Sequence, residues 1–504
     1  MILLINPPLV KPSEPPPGIS RLLGTLRAEG VACEAIDANI EGILHLLGKG
    51  SPALDRWTLR AGRNCERNLD FIRAPQSRRT LDRYKRAVSD INRLLGKASE
   101  SAGKARLTLT NYQDGELSPV RSADLLEAAE KYEENPFHDY FSKRISSAVD
   151  LFSPGTIGIS LNFLSQALTA FSMIGFIKAR YGRMRVVVGG SLATSWGAAW
   201  PGWKSSFEGL IDRVVSGPGE QALLELSGID RVARRRFCYG PFVSSRYLSP
   251  GLILPYSASC GCWWNQCSFC PEKAEGVRYD PVPPKEAVVE AGELWAAHRP
   301  DLIHFVDSAM SPALLSRLAE NPPGAPWYGF VRMTRRLADE DFCRALQASG
   351  CVMLKLGLES GDQSVLDSEC KGMDLGLATK ILASLKKSAI GTYVYLLFGS
   401  PSESEAQARN TLDFTVRHAP LIDFLNLAVF NMPLNSPDAK RLATSPHYEA
   451  DLSLYTGFNH PKGWDRAKVR RFLESEFKRH PAIAAVLSND PPLFTSNHAP
   501  FFLR

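Results

Sequence analysis

The hydrophobic pattern divides the chain into two alternating α/β stretches separated by a change of style. Residues 1–6 are a short apolar run, and residues 18–30 carry apolar side chains at helical spacing (Ile19, Leu22, Leu23, Leu26). Residues 32–37 are a second apolar run, and strand, helix, strand in that order predicts a parallel sheet. The pattern breaks over about 43–150, which lacks strand alternation and reads as helices with polar faces. It resumes with predicted strands at 156–161, 185–190 and 213–216, a helix at 166–181, and a helix after Gly217-Pro218-Gly219-Glu220. Residues 1–226 are therefore expected to form one doubly wound α/β domain with a helical insertion, and 227–250 a connector.

A more regular alternation follows. Strands are predicted at 252–259, 302–307, 327–333, 352–360, 392–400 and 424–432, with helices at 284–298, 312–320, 338–349, 375–387 and 404–417. Six such units over 251–437 predict a partial (β/α)6 barrel, built like the barrels that close at eight. Residues 438–504 read as mainly helical, with a proline- and aromatic-rich tail containing His498. That tail either closes over the site or docks on the barrel wall.

Composition changes this picture little. The 504 residues are 44% hydrophobic and 22% charged, ordinary for a globular protein, and a net charge of +6 is too small at this length to call for nucleic acid. The opening apolar run is far shorter than the roughly 20 residues of a membrane span and lacks a basic flank, so a cytoplasmic chain without a transmembrane segment is expected. Residues 51–100 hold twelve Arg or Lys against six Asp or Glu (Arg56, Arg60, Arg63, Arg67, Arg73, Arg78, Arg79 and Arg83 among them), a face for an anionic partner or simply a solvated one.

The cysteines change it most. Ten in a cytoplasmic chain of this size are not a disulfide framework. Three of them, Cys262, Cys267 and Cys270, stand at C-x4-C-x2-C spacing directly after the first barrel strand. Thiolates on one such loop can hold three irons of a [4Fe–4S] cubane and leave the fourth open. A structural zinc site is the alternative; Cys260 would then supply a fourth ligand, although no second C-x2-C or His pair lies nearby. No His spacing supports a separate metal site.

On these residues the chain resembles radical S-adenosylmethionine (SAM) enzymes with an N-terminal cobalamin-binding domain. The likeness covers most of residues 1–437. The most common radical SAM spacing is C-x3-C-x2-C; GCWWNQCSFC, with one extra residue, looks like a variant found among the cobalamin-domain members. Cys260 falls outside the motif and is expected not to be a ligand. The resemblance implies that Phe269 packs beside the adenine of SAM. It also implies SAM contacts from Asp307 (FVDSAMSP), Arg332, Glu359, Ser360 and Gly361 (LGLESGDQSVLD, followed by Lys371-Gly372), and Gly399 (YLLFGSPSES), all at C-terminal strand ends.

In the first domain the strings INPP, IDAN, IGISLNFLSQ, VVVGGS and SGPGEQALLEL match that group's cobalamin domains. They imply corrinoid contacts around Asn162, Gly189, Gly190 and Gly217. The DxHxxG sequence that carries a cobalt-ligating His is absent; Asp37-Ala38-Asn39-Ile40-Glu41-Gly42 has its outline without the imidazole and reads as a strand end and helix cap. Bound cobalamin would then lack that nitrogen ligand, and a domain that keeps the fold without the cofactor is the alternative. The resemblance implies reductive SAM cleavage to a 5′-deoxyadenosyl radical, fed by a donor such as flavodoxin or ferredoxin, and cobalamin-dependent methylation of an unactivated carbon. Cyclisation, oxidation or rearrangement without methyl transfer, and a cofactor-binding sensor, are the rival readings. The substrate is a small molecule, lipid or peptide.

Overall fold

The structure is a computed structural model and describes all residues except 51–54, 101–104, 231–234, 245, 447–449, 495–497 and 504. The chain forms two compact units, one of Met1–Leu252, Tyr448–Leu454 and Pro492–Thr495, the other of Ile253–His447, Tyr455–Pro491 and Ser496–Arg504. The last 60 or so residues are thus shared between both units.

In the first unit, strands β1 (Ile2–Asn6), β2 (Cys33–Asp37), β3 (Thr156–Ser160), β4 (Arg185–Gly189) and β5 (Arg213–Val214) form one sheet in the order β2-β1-β3-β4-β5. Every pairing is parallel, with Ile5 opposite both Ile36 and Ile159. Parallel strands are covered on both faces, which is why ILLIN and RVVVG run apolar without alternation. The order reverses between β1 and β3, the switch point of a doubly wound sheet. The insertion between β2 and β3 is helical, from Ala38–Gly48 to His138–Phe152, with one two-residue-per-strand hairpin at Arg106–Leu107 and Tyr112–Gln113. Its arginines lie mostly in solvent: Arg56, Arg60, Arg63, Arg67, Arg79 and Arg83 are exposed. Segment 450–454 is fixed to this unit by the indoles of Trp196 and Trp200, which donate to the carbonyls of Leu452 and Ser453 at 3.0 and 2.8 Å.

The second unit holds six parallel strands, β6 (Ile253–Tyr256), β9 (Leu302–Met310), β10 (Trp327–Val331), β11 (Cys351–Glu359), β12 (Gly391–Phe398) and β13 (Phe424–Val429), each paired with its neighbour in sequence. Between β6 and β9 lies a short antiparallel ribbon, β7 (Ser259–Cys260) against β8 (Asp280–Pro281). Helices alternate with the strands and begin where the chain caps them. Pro284 and Pro312 open two at the position where the missing N–H costs nothing. Asp339, Asp374 and Ser404 accept from first-turn amides of three others.

Strand alternation gives this sheet two faces. The helix-covered face (Leu254, Ile303, Phe305, Leu354, Leu356, Val394, Leu396) is sealed. On the other face Ile253, Leu302, Tyr328, Met353, Tyr393 and Phe424, at the strand beginnings, pack around Ala499. The tail therefore plugs the end of the barrel opposite the cysteine loop. The ring of Phe502 sits against Gly391, where a Cβ would lie 2.5 Å from it. His498 stacks on Tyr393 with centroids 4.4 Å apart.

Candidate functional site

The cysteine loop leaves the C-terminal end of β6 and is drawn closed at its base by the β7–β8 ribbon, in which Cys260 faces Asp280. Gly261 turns out of that ribbon at φ +71°; a Cβ there would lie 2.6 Å from the Arg278 carbonyl oxygen. Asp307, near the end of β9, anchors the same segment. Its carboxylate accepts from the amide of Ala258 at 3.1 Å and from the hydroxyl of Ser259 at 2.5 Å. Burial pushes its pKa up to about 6 against those hydrogen bonds. The structure thus gives Asp307 a task in shaping the loop, besides any contact with a ligand.

Cys267 is buried, while Cys262 and Cys270 are partly exposed. Burial raises the thiol pKa of Cys267 and Cys270; at Cys267 the charges of Lys371 and Arg332 act in the opposite direction. Arg332 is committed to this loop. Its Nη1 donates to Cys267 Sγ at 3.7 Å, its Nη2 donates to the Lys371 carbonyl, and its guanidinium lies 4.1 Å from the Trp264 ring centroid.

A second wall comes from the segment after β11. The Trp264 indole donates to the Cys370 carbonyl at 3.1 Å and covers Gly372, where a Cβ would come within 2.3 Å of the ring. Ser268 bonds Glu369 through both its amide and its hydroxyl, and Glu369 also accepts from Ser402. Glu359, at φ +68°, accepts from Lys371 Nζ at 2.8 Å, and that ammonium lies 5.8 Å from the Phe269 ring centroid. Gly357 makes room for the pair: a Cβ there would fall 2.6 Å from Glu359 Oε1 and 2.8 Å from Lys371 Nζ.

Of the remaining residues proposed from sequence, Ser360 and Gly361 are turned to the helix Glu405–His418. The Thr411 hydroxyl lies 3.1 Å from Ser360 Oγ and accepts from the Gly361 amide at 3.0 Å. Gly399, at φ +83°, donates its amide to Glu403 at 2.6 Å. Glu403 is fully buried, also accepts from the Trp464 indole at 2.9 Å, and is pushed by burial up to about 7. Cys262, Cys267, Cys270, Phe269, Arg332 and Glu359 are thus gathered around the loop. Trp264, Lys371, Glu369 and Ser402 complete it and were not assigned from sequence. The extra residue in GCWWNQC and the glycines of LGLES and KGM were their only signal.

The donor chemistry suits an iron–sulfur cubane. Among the described residues no three His, Cys, Asp or Glu side chains converge on a single-ion position. A cubane takes its thiolates on three different irons, and three cysteines on one loop supply that donor set.

In the first unit, Asn162 at the end of β3 accepts from the Ser191 amide at 3.1 Å and donates to Ser160 Oγ at 3.0 Å. Gly190 must be glycine: φ is +110°, and a Cβ would meet the Leu161 carbonyl oxygen at 2.5 Å. Gly189 is half-buried, whereas Gly217 is exposed at φ +76° with open space where its Cβ would be. Phe163 beside them is 56% exposed. The β1–β2 side is closed instead. Asn6 and Tyr247 donate to the buried Asp37 at 2.8 and 2.7 Å, Asp37 caps the following helix, and Gln166 ties Asn6 and Pro7 to the amides of Asn162 and Phe163. The edge over β3, β4 and β5 is open and bears glycines, a shape that suits a flat macrocycle.

A parallel α/β sheet in flavodoxin-like order, followed by a six-stranded partial barrel with a three-cysteine loop after its first strand, is the fold of cobalamin-dependent radical SAM enzymes. One such solved structure is OxsB with aqua-cobalamin and S-adenosylmethionine bound: TM-score 0.55 at 12% identity, over 87% of this chain and 60% of that one. Another is the radical SAM methyltransferase TsrM from Kitasatospora setae with tryptophan and a SAM analogue: TM-score 0.53 at 17% identity, over 90% of this chain and 79% of that one. This chain spans 60% of the length of OxsB, and at these identities the likeness establishes the fold. No protein-family model matches the sequence, and neither does any curated protein. Among the described residues no helix is long and apolar enough to cross a membrane.

Proposed function

We propose that this protein is a radical SAM enzyme that also uses cobalamin, and that it methylates an unactivated carbon. The observation that carries the reading is the loop of Cys262, Cys267 and Cys270 at the mouth of the barrel, with the guanidinium of Arg332 donating to a ligand sulfur. When bound, a [4Fe–4S] cluster supplies an electron to the sulfonium of SAM, and cobalamin supplies a methyl carrier. The three cysteines hold the cluster. Lys371 fixes the Glu359 carboxylate toward the mouth for the polar end of SAM, and Phe269 offers a face to its adenine. Asp307 and Glu403 support the loops from below: one holds the stem of the cysteine loop, the other the turn at Gly399. In the first unit the backbone at Asn162, Gly189, Gly190 and Gly217 would hold the corrinoid. Electrons come from a flavodoxin- or ferredoxin-type donor.

The test is anaerobic reconstitution of the full chain with iron, sulfide and hydroxocobalamin. The reading expects cluster absorbance, retained corrinoid, and an EPR signal of the Co(II) form without nitrogen superhyperfine splitting. Corrinoid that washes off completely, or a product lighter by two hydrogens instead of heavier by a CH2 unit, rejects the methylation part and leaves the cluster part standing.

A further inference from the structure

The helix Gln363–Ser368 ends in a cap that turns the chain toward the cysteine loop. The amides of Cys370 and Lys371 close the cap by donating back to the carbonyls of Asp367 and Leu366 at 3.1 and 2.9 Å, with Cys370 left-handed at φ +53°. Three successive carbonyls then lie beyond the helix, and all accept from the loop or its arginine. Glu369 accepts from the Ser268 amide at 3.1 Å, Cys370 from the Trp264 indole at 3.1 Å, and Lys371 from Arg332 Nη2.

The side chain of Glu369 adds a link that the backbone does not make. It is 4% exposed, and its two carboxylate oxygens serve two different loops. Oε2 accepts from the hydroxyl of Ser268, between the proposed ligands Cys267 and Cys270. Oε1 accepts from the hydroxyl of Ser402, in the turn that follows Gly399. That turn is also fixed from another side: His460 Nε2 donates to the Ser400 carbonyl at 2.8 Å, and Lys462 Nζ donates to the Ser402 carbonyl. Burying a carboxylate is costly unless it is hydrogen-bonded, and a helix cap by itself calls for none. We propose that Glu369 is a positioning residue: it sets the spacing between the cysteine loop and the turn after Gly399, so that the two hold one molecule of SAM together. The inference rests on the functional reading for what the loop and the turn bind. The three thiolates and the carbonyl contacts survive without the carboxylate, so the cluster does not depend on it. SAM does, because it needs loop and turn in register.

Full-length protein is reconstituted anaerobically with iron and sulfide, and three quantities are read. They are iron and sulfide per chain, SAM affinity by calorimetry, and the change that SAM produces in the EPR spectrum of the dithionite-reduced cluster. Glu369→Ala is expected to hold as much iron and sulfide as the wild type and to bind SAM about tenfold more weakly. Its spectral change should be smaller at a SAM concentration that saturates the wild type. Ser268→Ala and Ser402→Ala each cut one end of the same link. Each should weaken SAM by a similar factor, and neither should weaken it further when added to Glu369→Ala. Unchanged SAM affinity in Glu369→Ala with a full cluster overturns the inference, as do serine effects that add to that of Glu369→Ala. Should Glu369→Ala fail to load, Ser402→Ala decides: a full cluster with weakened SAM supports the link, and unchanged SAM affinity overturns it. Wild-type protein that takes up no cluster, or binds no SAM on a full one, fails the functional reading before any variant is compared, and this inference with it.

Discussion

Two side chains decide how the site behaves at the level of single residues. Arg332, for which resemblance implies a SAM contact, has its guanidinium on Cys267 Sγ, the Lys371 carbonyl and the Trp264 ring. An N–H donor and a positive charge beside a ligand sulfur favour the reduced, more negative cluster. Arg332→Met should therefore shift the cluster's reduction potential to more negative values, with SAM affinity changing less. EPR-monitored redox titration checks the first and calorimetry the second; an unchanged potential rejects the assigned role.

Glu403 gives a pH signature. Its folded pKa of about 7 lies above the ordinary carboxylate range because burial disfavours the charge. The native state therefore holds a proton that the unfolded chain has released, and stability falls as pH rises from about 4.5 to about 7. The span corresponds to on the order of 3 kcal/mol. Denaturant midpoints from pH 5 to 8 should fall less steeply for Glu403→Gln than for the wild type; parallel curves would contradict this.

At the level of elements, the β7–β8 ribbon separates Cys260 from the three proposed ligands. Cys260→Ala should leave the visible absorbance of reconstituted protein intact, and replacing Cys262, Cys267 and Cys270 together should abolish it. Gly261→Ala should also lose the cluster, because neither the +71° φ nor the 2.6 Å approach of the Arg278 carbonyl tolerates a methyl group. Iron uptake by the three proteins checks all three outcomes.

Much of this was legible in the sequence, for identifiable reasons. Strands such as ILLIN and the helices at Pro284–His298 and Leu375–Lys387 announce themselves by apolar period, proline and Asp caps. Strand ends were drawn too long at Arg213–Val214 and Phe424–Val429, since pairing stops where the neighbour strand ends, a tertiary fact. The tail was expected to close over the site or to dock on the barrel wall; packing against Tyr393, Phe424 and Gly391 instead makes it plug the barrel's far end. The partners of Arg332, Glu369 and Glu403 were invisible because each contact spans tens of residues and depends on the barrel bringing strand ends together.

For the whole molecule, the two units carry different weights in the account. The barrel unit contains a complete cysteine loop with its supporting charges, and the sheet unit contributes an edge that is open over β3–β5 and closed by Asn6, Asp37, Tyr247 and Gln166 over β1 and β2. If the proposed corrinoid site is right, Gly217→Val should reduce corrinoid uptake, through the strain of a branched side chain at φ +76°, without changing the cluster. The cobalamin part can fail and leave the barrel chemistry in place. The central claim is the cluster and what it does to SAM, and one measurement reaches it directly: 5′-deoxyadenosine and methionine formed when anaerobically reconstituted full-length protein is mixed with SAM and dithionite. The account predicts about four irons and four sulfides per chain, and 5′-deoxyadenosine that vanishes in the Cys262, Cys267, Cys270 triple-alanine variant. Protein that binds zinc in place of a cluster, or holds a full cluster and yields no 5′-deoxyadenosine from SAM with or without candidate substrates, would contradict it.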